Sequence, residues 1–233
     1  MRLAMAEAVP GPERAVTALP EEEALRLARR AAGRRGLTWP DVASAGHGVG
    51  GFTLDMTHHP GPETVVWATL GKQDGVLALF AGPKLLATAD SSLGEVLRVQ
   101  PVDLPGLPHS ALMVDDRVDQ MAGAFYREER RRIYVWDGHG LRQVFTAPLL
   151  REQVRHARWE NPRARAAWLL DRTVGDVALT DGFLTETLRQ ERLEAPGTQR
   201  DPVPPPGAFR RLEQQTEVKR YRWNNRLRRF DPA

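Results

Sequence analysis

The stretch Tyr134-Val135-Trp136-Asp137-Gly138-His139-Gly140-Leu141-Arg142-Gln143-Val144-Phe145 decides the fold. Tyr and Trp two apart share one face of an extended strand. Asp-Gly tolerates the left-handed backbone of a tight turn, and the following Leu and Phe return along a second strand. The same grammar recurs in Tyr221-Arg222-Trp223-Asn224-Asn225-Arg226-Leu227-Arg228-Arg229-Phe230, with Asn-Asn as the turn. Both segments predict β-hairpins whose returning Leu and Phe pack on the same sheet, and their likeness suggests a repeated unit.

Working outward, the strand signal extends in both directions. Thr64 to Leu70, a Gly71 to Gly75 turn and Val76 to Ala81 read as a hairpin. Runs at Glu95 to Val102, Ala111 to Val114, Ala122 to Tyr126, Arg131 to Trp136 and Leu141 to Thr146 follow, most of them punctuated by Gly, Pro or Asp. Val174 to Leu179, Thr180-Asp181-Gly182 and Phe183 to Leu193 form another hairpin by their turn chemistry. Between these, residues 147 to 172 place Leu149, Leu150, Val154 and Ala157 where they could line a helix, and helical character is expected there up to the break at Asn161-Pro162. The Pro-rich segment Ala195 to Gly207 is expected to run as an extended surface linker that does not pack.

Ahead of the strands, Leu25, Leu27, Ala28, Ala31 and Ala32 recur largely at helical spacing. Glu21, Glu22 and Glu23 lie in the first turn and arginines near the end, which suits the helix dipole. The fold class is therefore α+β: an N-terminal helix with mainly antiparallel sheets built from repeated β-hairpins. Residues 1–19 are expected to be a mobile arm, 20–104 the helix with antiparallel strands, and 105–233 a hairpin-repeat domain. The boundary is placed at Leu104-Pro105-Gly106-Leu107-Pro108.

The hairpin phrase from Tyr134 to Phe145, preceded by Leu112-Met113-Val114-Asp115-Asp116 and Ala122-Gly123-Ala124-Phe125, resembles the β-repeat hairpins of bacterial secreted or periplasmic proteins of the FG-GAP and VCBS type. The resemblance covers residues 111–146 and, more faintly, 174–230. It implies an Asp-rich calcium loop, for which Asp115, Asp116 and Asp119 are the matching acids. Arg117 stands in the middle of that loop, and the sharpening Gly and bidentate Glu are missing from the pattern.

Composition narrows the chemistry. The 233 residues are 41% hydrophobic and 27% charged and contain no Cys, which excludes disulfides, thiolate zinc sites and a Cys nucleophile. No apolar run approaches the ~18 residues of a membrane span. There is no GxSxG, HExxH or Walker A loop. The glycines of Gly46-His47-Gly48-Val49-Gly50-Gly51 precede a strand, not a helix, so they read as a loop and not as a dinucleotide cradle. His47, His58 and His59 could supply three imidazoles to a metal, but adjacent histidines on a strand point to opposite faces. Ser91, Ser92 and Ser110 with Asp90 and His109 contain the residue types of a hydrolytic triad without its spacing. Neither a metal nor a cofactor is expected, and no catalytic residue is assigned.

Charge is unevenly placed. Residues 1–208 carry 25 basic and 27 acidic side chains, and residues 209–233 carry eight basic and three acidic. These sequence features point to a non-enzymatic binding or interaction protein acting on a protein or polymer partner. It is cytoplasmic as written, and periplasmic or secreted if Leu3 to Ala8 is the tail of a removed leader. The alternative is a DNA- or RNA-binding protein using Lys219, Arg220, Tyr221, Arg222, Trp223, Arg226, Arg228 and Arg229. Alternation puts Lys219, Tyr221 and Trp223 on one strand face and Arg220 and Arg222 on the other, with aromatics to stack on bases beside cations to meet phosphates. The same pattern also fits inward-packed aromatics with arginines that guard a sheet edge.

Overall fold

A computed structural model describes residues 16–39, 48–57, 59–121 and 125–233. It contains β1 (Thr17–Ala18), α1 (Glu21–Arg34), β2 (Val49–Leu54), β3 (Glu63–Gly71), β4 (Asp74–Ala81), β5 (Lys84–Thr88) and β6 (Glu95–Val102). These are followed by β7 (Ala111–Asp119), β8 (Tyr126–Trp136), β9 (Leu141–His156), α2 (Ala157–Glu160), β10 (Ala167–Thr180) and β11 (Phe183–Pro196). The chain closes with β12 (Arg210–Asn224) and β13 (Arg229–Pro232). Strands β1 to β5 form one antiparallel sheet in sequence order, and β6 to β13 form an eight-stranded antiparallel meander. The α+β class, the antiparallel sheets and the N-terminal helix are as expected.

The first sheet is apolar on both faces because it is covered on both. One face carries Val66, Ala68, Val76, Ala78 and Phe80, against which α1 lays Leu27, Ala28 and Ala31. Small alanines on the helix let it sit close to the strands. The other face, with Phe52, Leu54, Val65, Leu77 and Leu79, meets Leu112, Val114, Tyr134 and Leu141 of the meander. Of the expected N-terminal arm, residues 1–15 lie outside the described residues. Thr17 and Ala18 pair with Thr53 and Phe52 of β2.

The meander folds over itself. Strands β9 and β10 pair only from Leu150/Val174 to His156/Trp168. Beyond Val174 they part, and β10 to β13 turn across the opposite face of β7 to β9. There Val177, Leu184 and Trp223 pack on Ile133, Val135, Phe145 and Ala147. Gly175 stands at the parting, where an added Cβ would lie 1.9 Å from the Pro148 carbonyl oxygen. The layers are therefore helix, first sheet, proximal meander and returning hairpins. The chain changes sheet at Ala89 to Gly94, between β5 and β6. Leu104 to Pro108 connects two strands within the meander.

Three expectations are corrected. Residues 147–156 continue β9 as a strand, and helix is confined to Ala157–Glu160, with β10 starting at Ala167. Cross-strand ion pairs settle the conformation: Arg151 with Glu128, Glu152 with Arg172, and Arg155 with Asp171. Each is available only to an extended chain with partners on both sides. The Pro-rich segment also packs, because Trp168, Leu170 and Leu193 leave an apolar surface that Val203 and Phe209 cover. Lastly, the two Tyr-x-Trp hairpins differ internally. An extra residue in β9, between Ile133/Phe145 and Tyr134/Gln143, sends Phe145 to the face opposite Leu141. In the second hairpin Leu227 lies exposed in the turn.

Candidate ligand-binding face

The returning hairpins β10 to β12 have an inner face, packed on Phe145, and an outer face. The outer face is built by register. Thr180 pairs with Phe183 across a turn in which Asp181 and Gly182 both have positive φ, 50° and 77°. Phe183 pairs with Arg222, and Thr185 with Arg220. Alternation thus brings Phe183, Arg220 and Arg222 to one side. The Arg220 and Arg222 guanidinium carbons lie 5.7 and 5.8 Å from the Phe183 ring centroid. Phe183 retains 37% exposure, and nearby Val218 retains 59%. An open groove of about 620 Å³ runs from Phe183 past Arg222 and Asn224 to Asp231. At the far end of β10, Val203, Phe209 and Phe125 cover Trp168, whereas the face around the β10–β11 turn is open.

The sequence candidates divide between the two faces. Tyr221 and Trp223 turn inward: Tyr221 meets Phe145 edge-on at 5.7 Å, and Trp223 meets Phe230 at 5.2 Å. The Tyr221 hydroxyl donates to Glu186 at 3.1 Å, and burial followed by that bond raises its pKa. Lys219 pairs with Glu217 at 3.0 Å, which holds its ammonium form to higher pH. Arg229 pairs with Asp231 at 2.6 Å, and Asn224 donates to the same carboxylate. Those two bonds lower the pKa of Asp231. Arg228 donates to the Trp136 carbonyl, and its own carbonyl accepts from Arg142, so it ties the two hairpins together. Arg226 is exposed in the turn. Among the described residues, neither Arg220 nor Arg222 belongs to an ion pair.

The sequence reading missed Phe183. Its only local signal was that an aromatic residue follows Asp-Gly at a strand start. Its neighbours Arg220 and Arg222 are far along the chain, and only the β11–β12 register brings them together.

Other candidates are committed to structure. Asp115 and Asp116 lie inside β7, not in a loop. Asp115 accepts from Nε and Nη2 of Arg131 at 2.8 Å each. Fully buried Asp116 accepts from Arg130 at 2.5 Å, Arg132 at 2.8 Å and the Gly94 amide at 2.9 Å. The first two acids of the calcium loop that the resemblance implies therefore stand in a strand and are paired with arginines, and no metal-binding cluster occurs among the described residues. The Ser91 hydroxyl lies 2.7 Å from the Tyr134 hydroxyl and accepts from Arg132. Asp90 accepts from the Gln143 amide, His109 lies 3.0 Å from Asp55, and Ser110 donates to Asp103. His47 and His58 fall outside the described residues. Buried His156 accepts from the Arg158 amide at Nδ1, and its Nε2 lies 3.2 Å from the Gly197 carbonyl. No protein family, curated protein or solved structure matches this chain.

Proposed function

We propose that this chain is a non-enzymatic binding protein that holds an anionic partner on the outer face of β10 to β12. The observation that carries this reading is the pair Arg220 and Arg222, which flank the exposed Phe183 ring and, among the described residues, belong to no ion pair. Nearby cations are already engaged, Lys219 by Glu217 and Arg229 by Asp231. Two guanidinium groups of this kind offer planar, multidentate donors to phosphate or carboxylate oxygens at little desolvation cost.

The test is fluorescence anisotropy of labelled linear polyphosphate at low and physiological salt, with the wild type and with Arg220→Ala/Arg222→Ala. Binding that weakens steeply with salt is expected, and the double variant should flatten the log–log slope by about 1.4. Absence of binding at low salt, or an unchanged slope in a folded double variant, overturns the reading.

A further inference from the structure

We infer that the anionic partner is a single strand of nucleic acid, with a base laid on Phe183 and the flanking phosphates on Arg220 and Arg222; this rests on the binding face proposed above. Three features of that face favour it over a simple polyanion. The first is the ring itself. A phenyl side chain 37% exposed at the centre of a cationic face adds nothing to the capture of phosphate, whereas a base can stack on it. The second is the surroundings. Thr180 and Thr185 are the cross-strand and same-strand neighbours of Phe183. These short side chains leave room beside the ring for a splayed base.

The third is the state of the guanidinium groups. At 5.7 and 5.8 Å from the centroid they occupy the ring's π-face in the free protein. A base can take that face while the two arginines, on flexible stems, swing outward to phosphates on either side. The groove of about 620 Å³ that continues past Arg222 toward Asn224 and Asp231 gives the strand a direction and falls within the size range of ligand clefts. A duplex fits poorly, since its bases are stacked within the helix and out of reach of a ring seated in a sheet.

The experiment compares labelled oligothymidine, the abasic oligomer with the same sugar-phosphate backbone, and a duplex of equal length. Wild type, Phe183→Ala and Phe183→Trp are each checked for unchanged melting temperature. Wild type should bind oligothymidine on the order of tenfold more tightly than the abasic oligomer, the scale of a single stacked base. Phe183→Ala should remove that difference without weakening abasic binding. Phe183→Trp should preserve it, with extra indole emission quenched by oligothymidine and unaffected by the abasic strand. Equal wild-type affinity for the two oligomers overturns base stacking and leaves the anionic reading standing; failure of both to bind at low salt overturns both. Tighter binding of the duplex, or equal loss of both ligands in Phe183→Ala, also overturns the inference.

Discussion

Asp116 shows how single residues commit this protein to structure where the sequence hinted at ligand chemistry. Its carboxylate has no solvent exposure and is held by Arg130, Arg132 and the Gly94 amide. Removing one member of such a group leaves buried charge uncompensated, so Asp116→Ala should cost about 3–5 kcal/mol. Its melting temperature should fall by on the order of 10 °C in a thermal scan followed by circular dichroism. Asp116→Leu combined with Arg130→Met and Arg132→Met removes all three charges and should recover a good part of that loss. A single variant that melts like the wild type would show that the cluster contributes little. The sequence displayed Asp115-Asp116 and Arg130-Arg131-Arg132 but not their partnership, because the β7–β8 register that joins them is a tertiary fact. Phe183 stayed hidden for the same reason.

Element by element, hairpins with explicit turn chemistry were legible and the long strand β9 was not. Asp137-Gly138, Asp181-Gly182 and Lys72-Gln73 each lie in the connection the sequence called for, and β6 has the bounds read from its composition. Residues 147–156 misled because their apolar spacing was compatible with a helix, while the evidence for a strand lay in charges on neighbouring strands. The parting of β9 and β10 rests on Gly175. Gly175→Ala would drive a methyl against the Pro148 carbonyl and should destabilise the protein by about 1–3 kcal/mol, measurable by urea denaturation. Retained stability would mean that the two layers can separate freely.

Strand β12 presents a second element-level device. Beyond the stretch Tyr221–Asn224 covered by β13, its free edge carries Arg210, Arg211, Glu213, Glu217 and Lys219. Such charges oppose edge-to-edge pairing. Replacing Arg211, Glu213, Glu217 and Lys219 with Thr should produce concentration-dependent self-association in sedimentation velocity. A variant that stays at the wild-type sedimentation coefficient would show that the edge is shielded in another way.

At the scale of the whole molecule, layering determines how stability responds to pH. All three tyrosines have raised pKa values: Tyr134 through burial between the sheets, Tyr126 through burial and its bond to Glu128, and Tyr221 through burial and its bond to Glu186. In each case the unfolded chain ionises first, near the ordinary tyrosine value of about 10. Stability from these groups is fully present below that pH and is lost as pH rises toward the folded-state values. The acid limb has the opposite sign. Burial alone would raise Asp137, but the His139 and Gly140 amides outweigh it and lower its pKa, and the Thr198 amide and hydroxyl lower that of Asp201. Their contribution is present at neutral pH and disappears as pH falls below about 4. The expected profile is a plateau with a decline at each end. Tyr134→Phe should show a shallower alkaline decline than the wild type when melting temperature is followed from about pH 9 to 11, since Tyr134 is the tyrosine enclosed between the two sheets. An identical alkaline slope would place the limiting ionisation elsewhere. Binding should track the fold, because the β11–β12 register that brings Arg220 and Arg222 beside Phe183 exists only in the folded chain. Ligand affinity should therefore hold until the fold itself gives way, so that a binding curve and a melting curve measured against pH fail together at the alkaline end.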